Sequence, residues 1–107
     1  MEIVNLTDKP VSIVNDNGHL LKSYPSMGRA TVNVNMVKER EVDGVPIYSK
    51  RYGRVLGLPQ PVNDLSVMYI VSHNVADAAK DSRFDLLVPD DQVTKQGKNY
   101  YKTLVTL

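Results

Sequence analysis

Ala30, Val32, Val34 and Met36 alternate with Thr31, Asn33 and Asn35, the period-two signature of a strand with one buried face. The segment runs on through Val37-Lys38-Glu39-Arg40-Glu41-Val42. Unbroken parity there would turn Lys38 and Arg40 toward the core, so a bulge or bend is expected near Val37. Asp43-Gly44 reads as a two-residue hairpin turn, because both residues tolerate positive φ. Such a loop sets Val42 opposite Val45, Arg40 opposite Ile47 and Glu39 opposite Tyr48. Pro46 marks Val45–Lys50 as an edge strand, since it has no N–H to give a ladder. Arg51–Leu56 continues it until Gly57-Leu58-Pro59-Gln60-Pro61 breaks regular structure.

The same reading places short strands at Ile3–Thr7, Val11–Val14 and Leu20–Tyr24, with a tight turn at Asn15-Asp16-Asn17-Gly18 and a loop over Pro25–Arg29. Ser66–Val71 is apolar without alternation, which fits a strand covered on both faces at the centre of a sheet. Ser72 or Asn74 caps a helix of about two turns over Val75–Lys80, too short to persist unless it packs on the sheet. Arg83–Val88 is a further strand, ended by Pro89-Asp90-Asp91, and a last hairpin turns at Lys95–Lys98 into Tyr100–Leu107. The fold class that follows is α+β, mainly β. It is a single domain over residues 1–107, with a mixed sheet, small barrel or sandwich of about seven short strands and one short helix.

Composition changes this picture only by exclusion. The fractions of 42% hydrophobic and 23% charged residues are ordinary for a globular chain, and 107 residues support one core without staples. With no cysteine there is no disulfide, thiolate nucleophile or cysteine-based zinc site. A net charge of +1 argues against generic DNA binding. The apolar runs are far shorter than the roughly 20 residues of a bilayer-crossing helix. Met1-Glu2-Ile3-Val4-Asn5 lacks the basic and apolar regions of a secretory leader, which leads to the expectation of a cytoplasmic protein with no membrane partner.

Candidate chemistry is thin. Ser72, His73 and Asp77 invite a hydrolase reading, but adjacent residues entering a helix point in different directions, and no GxSxG elbow is present. His19 and His73 lie in different elements, and Asp90-Asp91 reads as ordinary loop chemistry, so no metal is expected. No glycine-rich phosphate loop occurs, so no cofactor is expected and the chain reads as non-enzymatic. The most informative cluster is Tyr48, Lys50, Arg51, Tyr52 and Arg54, with Lys38 and Arg40 across the hairpin. Arginine forks suit phosphate or carboxylate and tyrosines offer stacking faces, so this is the expected ligand- or partner-binding surface. The plainer reading is a solvated edge strand, with Glu39 and Glu41 neutralising part of the charge. Tyr100–Leu107, if it forms an open edge, would allow a homo-oligomer by strand addition.

Several segments together carry a resemblance: Val4-Asn5-Leu6-Thr7 with Pro10, Gly44-Val45-Pro46-Ile47-Tyr48, Tyr52-Gly53-Arg54-Val55-Leu56-Gly57-Leu58-Pro59, Tyr69-Ile70-Val71-Ser72, and Arg83-Phe84-Asp85-Leu86-Leu87-Val88-Pro89-Asp90. In these the chain resembles a family of short hypothetical proteins of bacteria, bacteriophages and prophage-like elements with no established activity. The resemblance implies context rather than chemistry. It suggests a small mobile-element protein in the bacterial host cytoplasm that binds a partner. Such a protein could sequester or mask a host protein or a signalling nucleotide in an anti-defence role. The alternative is a structural or virion-associated protein that self-associates.

Overall fold

The computed structural model describes residues 1–62 and 66–107. In chain order the elements are β1 (Glu2–Asn5), β2 (Val11–Val14), β3 (Leu20–Tyr24), β4 (Thr31–Val42), β5 (Val45–Leu56), β6 (Val67–Ile70), α1 (His73–Ala79), β7 (Leu86–Lys95) and β8 (Lys98–Val105). Six strands form one mixed sheet in the order β1-β6-β7-β8-β2-β3, while β4 and β5 form a ribbon of their own. β6 is parallel to both β1 and β7. Parallel neighbours need a crossover connection, and α1 supplies it between β6 and β7.

The apolar run in β6 is explained by two cores, one on each face of the sheet. Ile70 packs with Val11, Ile13 and Leu87, while Tyr69 and Val71 belong to a second cluster with Leu6, Leu86, Val88 and the helical Val75, Ala76 and Ala79. The sheet curls around the first cluster until its outer strands touch: the Met27 amide donates to the Asn5 carbonyl at 2.9 Å. Asn5 fastens this closure from a buried position. Its side-chain amide donates to the carbonyls of Lys9 (2.8 Å) and Tyr24 (3.0 Å), and its Oδ1 accepts from the Thr7 amide and hydroxyl.

Helix α1 begins as the capping chemistry requires, with Ser72 Oγ accepting from the Val75 amide at 3.3 Å. The strand after it starts at Leu86 rather than Arg83. Arg83 instead folds back on the fully buried Asp85, donating from Nε and Nη2 to its two carboxylate oxygens at 2.9 and 2.7 Å.

Two further features differ from expectation. Pro89 does not end β7, which continues to Lys95. β6 pairs only with its first residues, so from Val88 onward β7 has a ladder on the β8 side alone and a missing N–H is tolerated. The terminal strand is also not an open edge. β8 lies between β7 and β2, and the outer strands of the sheet are β1 and β3. The assumption behind oligomerisation through Tyr100–Leu107 therefore does not hold.

The ribbon gives the molecule its shape. Its root is packed, with Ala30, Val32, Val55 and Leu58 joining the helix-side core. Beyond the root, every residue from Asn35 to Tyr48 is exposed. The radius of gyration is 16.1 Å, against about 13 Å for a compact chain of this length.

Candidate functional site

The ribbon is built by two sequence devices. Asp43 and Gly44 both adopt positive φ, 54° and 76°, and close a two-residue turn with Val42 opposite Val45. Two bulges then set which way each side chain faces. Near the root, Gly53 and Arg54 together oppose Asn33, between the pairs Val32–Val55 and Val34–Tyr52. Nearer the tip, Lys38 pairs with Tyr48 and Arg40 with Ile47, so Glu39 is the extra residue on β4. The bulge expected near Val37 thus falls at Glu39, and Tyr48 faces Lys38 rather than Glu39. Lys38 and Arg40 are both exposed, and among the described residues no core lies beneath them.

Paired residues share a face. On the face toward α1 lie Val34 with Tyr52, Met36 with Lys50, Lys38 with Tyr48 and Glu41 with Pro46. On the outer face lie Asn35 with Arg51, Val37 with Ser49, Arg40 with Ile47 and Val42 with Val45. Glu39 also belongs to the outer face, where its Oε1 accepts from Ser49 Oγ and, at 3.0 Å, from Arg51 Nη2.

The seven residues singled out from sequence are therefore on one ribbon but not in one patch. Tyr48, Lys50, Tyr52 and Lys38 share the helix-side face, whereas Arg40 and Arg51 are on the other. Most of the charge is already engaged. Lys38 pairs with Glu41 at 2.6 Å, Arg51 with Glu39, and Lys50 donates to Asn74 Oδ1 at 3.1 Å. Tyr52 donates to Asp77 Oδ2 at 2.5 Å. That bond raises the Tyr52 phenol above its ordinary value of 10.0, and together with Lys80 it holds the Asp77 carboxyl below the usual range. Arg54 is exposed beside the root bulge.

Sequence reasoning passed over the aliphatic residues of the ribbon. Val37, Val42, Val45 and Ile47 form a row on the outer face and remain 40, 48, 55 and 39% exposed. Met36 and Tyr48 are exposed on the other face. The signal was present as alternation around the Asp43-Gly44 turn. It looks the same whether the chain covers such a row itself or presents it outward.

Two backbone edges accompany these faces. Among the described residues β4 pairs only with β5, which leaves its other side without a strand. Among the described residues β5 also has no strand on its far side, but Pro46 blunts that edge near the tip.

A second feature lies beyond the carboxyl ends of the parallel strands β1 and β6. A cleft of about 790 Å³ is lined by Lys9, Ser72, His73, Lys98, Tyr100 and Tyr101 among others. The hydrolase reading finds no support in its geometry: Ser72 Oγ accepts the helix cap bond, and the Asp77 carboxylate is engaged by Tyr52 and Lys80. Among the described residues no three His, Asp or Glu side chains come together as metal ligands, and no helix is long and apolar enough to cross a membrane. No family model matches the chain, and no curated protein or solved structure matches it.

Proposed function

We propose that this chain is a non-enzymatic binding protein that engages a partner protein through the β4–β5 ribbon. The observation that carries this reading is the run of exposed residues from Asn35 to Tyr48, which holds six large apolar side chains on a ribbon with no core beneath it among the described residues. A two-stranded hairpin is marginal in water by itself, and contiguous exposed apolar surface marks interaction sites. Tyrosine and arginine around such a row are the residue types that dominate protein interfaces. The cations support a protein partner better than a nucleotide, because Lys38 and Arg51 already pair with carboxylates that a phosphate would have to displace. With the resemblance to phage and prophage-like proteins, the reading becomes a small protein that masks a host protein in the bacterial cytoplasm, in the manner of an anti-defence factor.

Photo-cross-linking in bacterial cells that carry the gene tests this. A cross-linkable side chain at Ile47 is expected to capture one protein that the same probe at Leu21, exposed on β3, does not. That protein, once purified, should bind the Val45→Asp/Ile47→Asp variant on the order of 100-fold more weakly than wild type. Equal binding by the folded variant, or no adduct beyond the Leu21 background, would remove the ribbon from the function.

A further inference from the structure

The segment Val37-Lys38-Glu39-Arg40-Glu41-Val42 is complementary to itself when read against a reversed copy. Val37 then meets the partner's Val42, Lys38 meets the partner's Glu41, and Glu39 meets the partner's Arg40, with the same three pairs repeated by symmetry. Every charged residue faces the opposite sign and the apolar ends face each other.

Charge order alone would not permit this pairing in a regular strand. With strict period-two alternation, Val37 and Val42 point to opposite faces, and opposed residues in an antiparallel pair must share one. The extra residue at Glu39 removes the conflict. Val37 and Val42 are both on the outer face, Lys38 and Glu41 both on the helix-side face, and Glu39 and Arg40 both on the outer face. The 2.6 Å contact between Lys38 and Glu41 independently places those two on one side. The sequence of faces, like the sequence of charges, therefore reads the same in both directions about the Glu39–Arg40 midpoint.

We infer that a second copy of this chain pairs along the free edge of β4, antiparallel and two-fold symmetric, to make a four-stranded sheet from two ribbons. Three observations select this occupant and this edge. β4 has no strand on its outer side among the described residues. β4 contains no proline, whereas β5 carries Pro46 near the tip. The register also carries each Asp43-Gly44 turn only as far as the partner's Met36 and Asn35, so it stops short of the packed root at Val34 and Val32. Pairing sets each Val37–Val42 contact beside the Val45 of one copy, so that apolar contacts flank a central cluster of Glu39 and Arg40 from both copies on the same outer face. This rests on the ribbon being a contact arm, and it names the first partner of that arm's edge.

A charge-swap experiment by sedimentation, between about 1 µM and 1 mM protein, tests it. Wild type is expected to show a concentration-dependent dimer. The Lys38→Glu/Arg40→Glu variant places acid against acid, and the Glu39→Lys/Glu41→Lys variant places base against base, so each alone should dimerise on the order of 100-fold more weakly. An equimolar mixture of the two should recover dimer, because every opposed pair is again of opposite sign. Recovery also shows that neither variant failed by unfolding. A wild type that stays monomeric, variants that dimerise as wild type does, or a mixture of folded variants that does not recover would each overturn the pairing. If Ile47 still captures a host protein in any of those cases, the arm survives and only its self-pairing is lost.

Discussion

The Tyr52 hydroxyl donates to the Asp77 carboxylate at 2.5 Å, and this bond ties the middle of the ribbon to helix α1. Lys50 reaches Asn74 from the same face, one pleat nearer the tip, and beyond it none of the described residues packs beneath the ribbon. The tie therefore sets the length of the free arm.

Asp77→Asn is expected to lower the Tyr52 phenol back toward 10.0, because the bond to the charged carboxylate is the main cause of its rise. Tyrosine-labelled NMR titration, with Tyr52→Phe to assign the signal, checks this. The sign for stability follows from the two directions. The raised phenol contributes stability that is present below 10.0 and lost as pH rises through its higher folded value. The lowered carboxyl contributes stability present above its ordinary 3.8 and lost as pH falls through its folded value. Amide exchange in the root half of β4 and β5 should quicken in Tyr52→Phe, while the already exposed tip should change little.

Asp85 is held below the usual carboxylate range chiefly by its two hydrogen bonds from Arg83. Asp85→Asn leaves a nearly buried guanidinium without its counter-charge, so it should cost about 3–5 kcal/mol in urea denaturation at neutral pH. The wild-type pair contributes fully above 3.8, and its contribution fades as pH falls through the lower folded value. The variant's stability should accordingly fall less steeply in acid than that of wild type.

Gly57 closes the root of the ribbon with φ at +80°, and a Cβ placed there would lie 2.4 Å from the Arg29 carbonyl oxygen. Gly57→Ala combines a left-handed backbone with a backbone clash that no rotamer relieves. A loss of about 2 kcal/mol or more is expected in thermal or urea unfolding. Gly44→Ala, at a similar φ but with open space around the position, should cost less.

Much of this architecture is legible in the chain, and the rest is not for physical reasons. The unbroken apolar run of β6 and the Asp43-Gly44 turn are local signals whose causes lie within a few residues, and each stands where the sequence puts it; of the two caps the sequence offers, Ser72 and Asn74, the helix uses Ser72 and so begins at His73 rather than Val75. The course of β7 through Pro89 depends on β6 having ended beside it, which no local pattern records. The Arg83–Asp85 pair reads as two strand residues until burial makes the charge partner necessary. The site was half visible. Its charged and aromatic residues stood out, but alternation alone does not say that Val37, Val42, Val45 and Ile47 face solvent. The position of the bulge is fixed by the pairing of two strands rather than by β4 alone.

That bulge gives the most discriminating variant. Deleting Glu39 restores regular alternation to β4, so the segment becomes Val37-Lys38-Arg40-Glu41-Val42 with an odd number of residues. A two-fold antiparallel pair must then centre on a residue, and the centre is Arg40 facing the partner's Arg40. The flanking pairs of Lys38 with the partner's Glu41 and of Val37 with the partner's Val42 survive, so the loss should come from the two Glu39–Arg40 pairs removed and the one like-charge contact created, and be at least on the order of 10-fold in dimer affinity. Replacing Arg40 by Gln in the same deletion should recover part of it, since the central contact then carries no charge while the Glu39 pairs stay lost. Sedimentation of the deletion and of the deletion with Arg40→Gln separates this from a general effect of shortening the ribbon, which would weaken both chains alike.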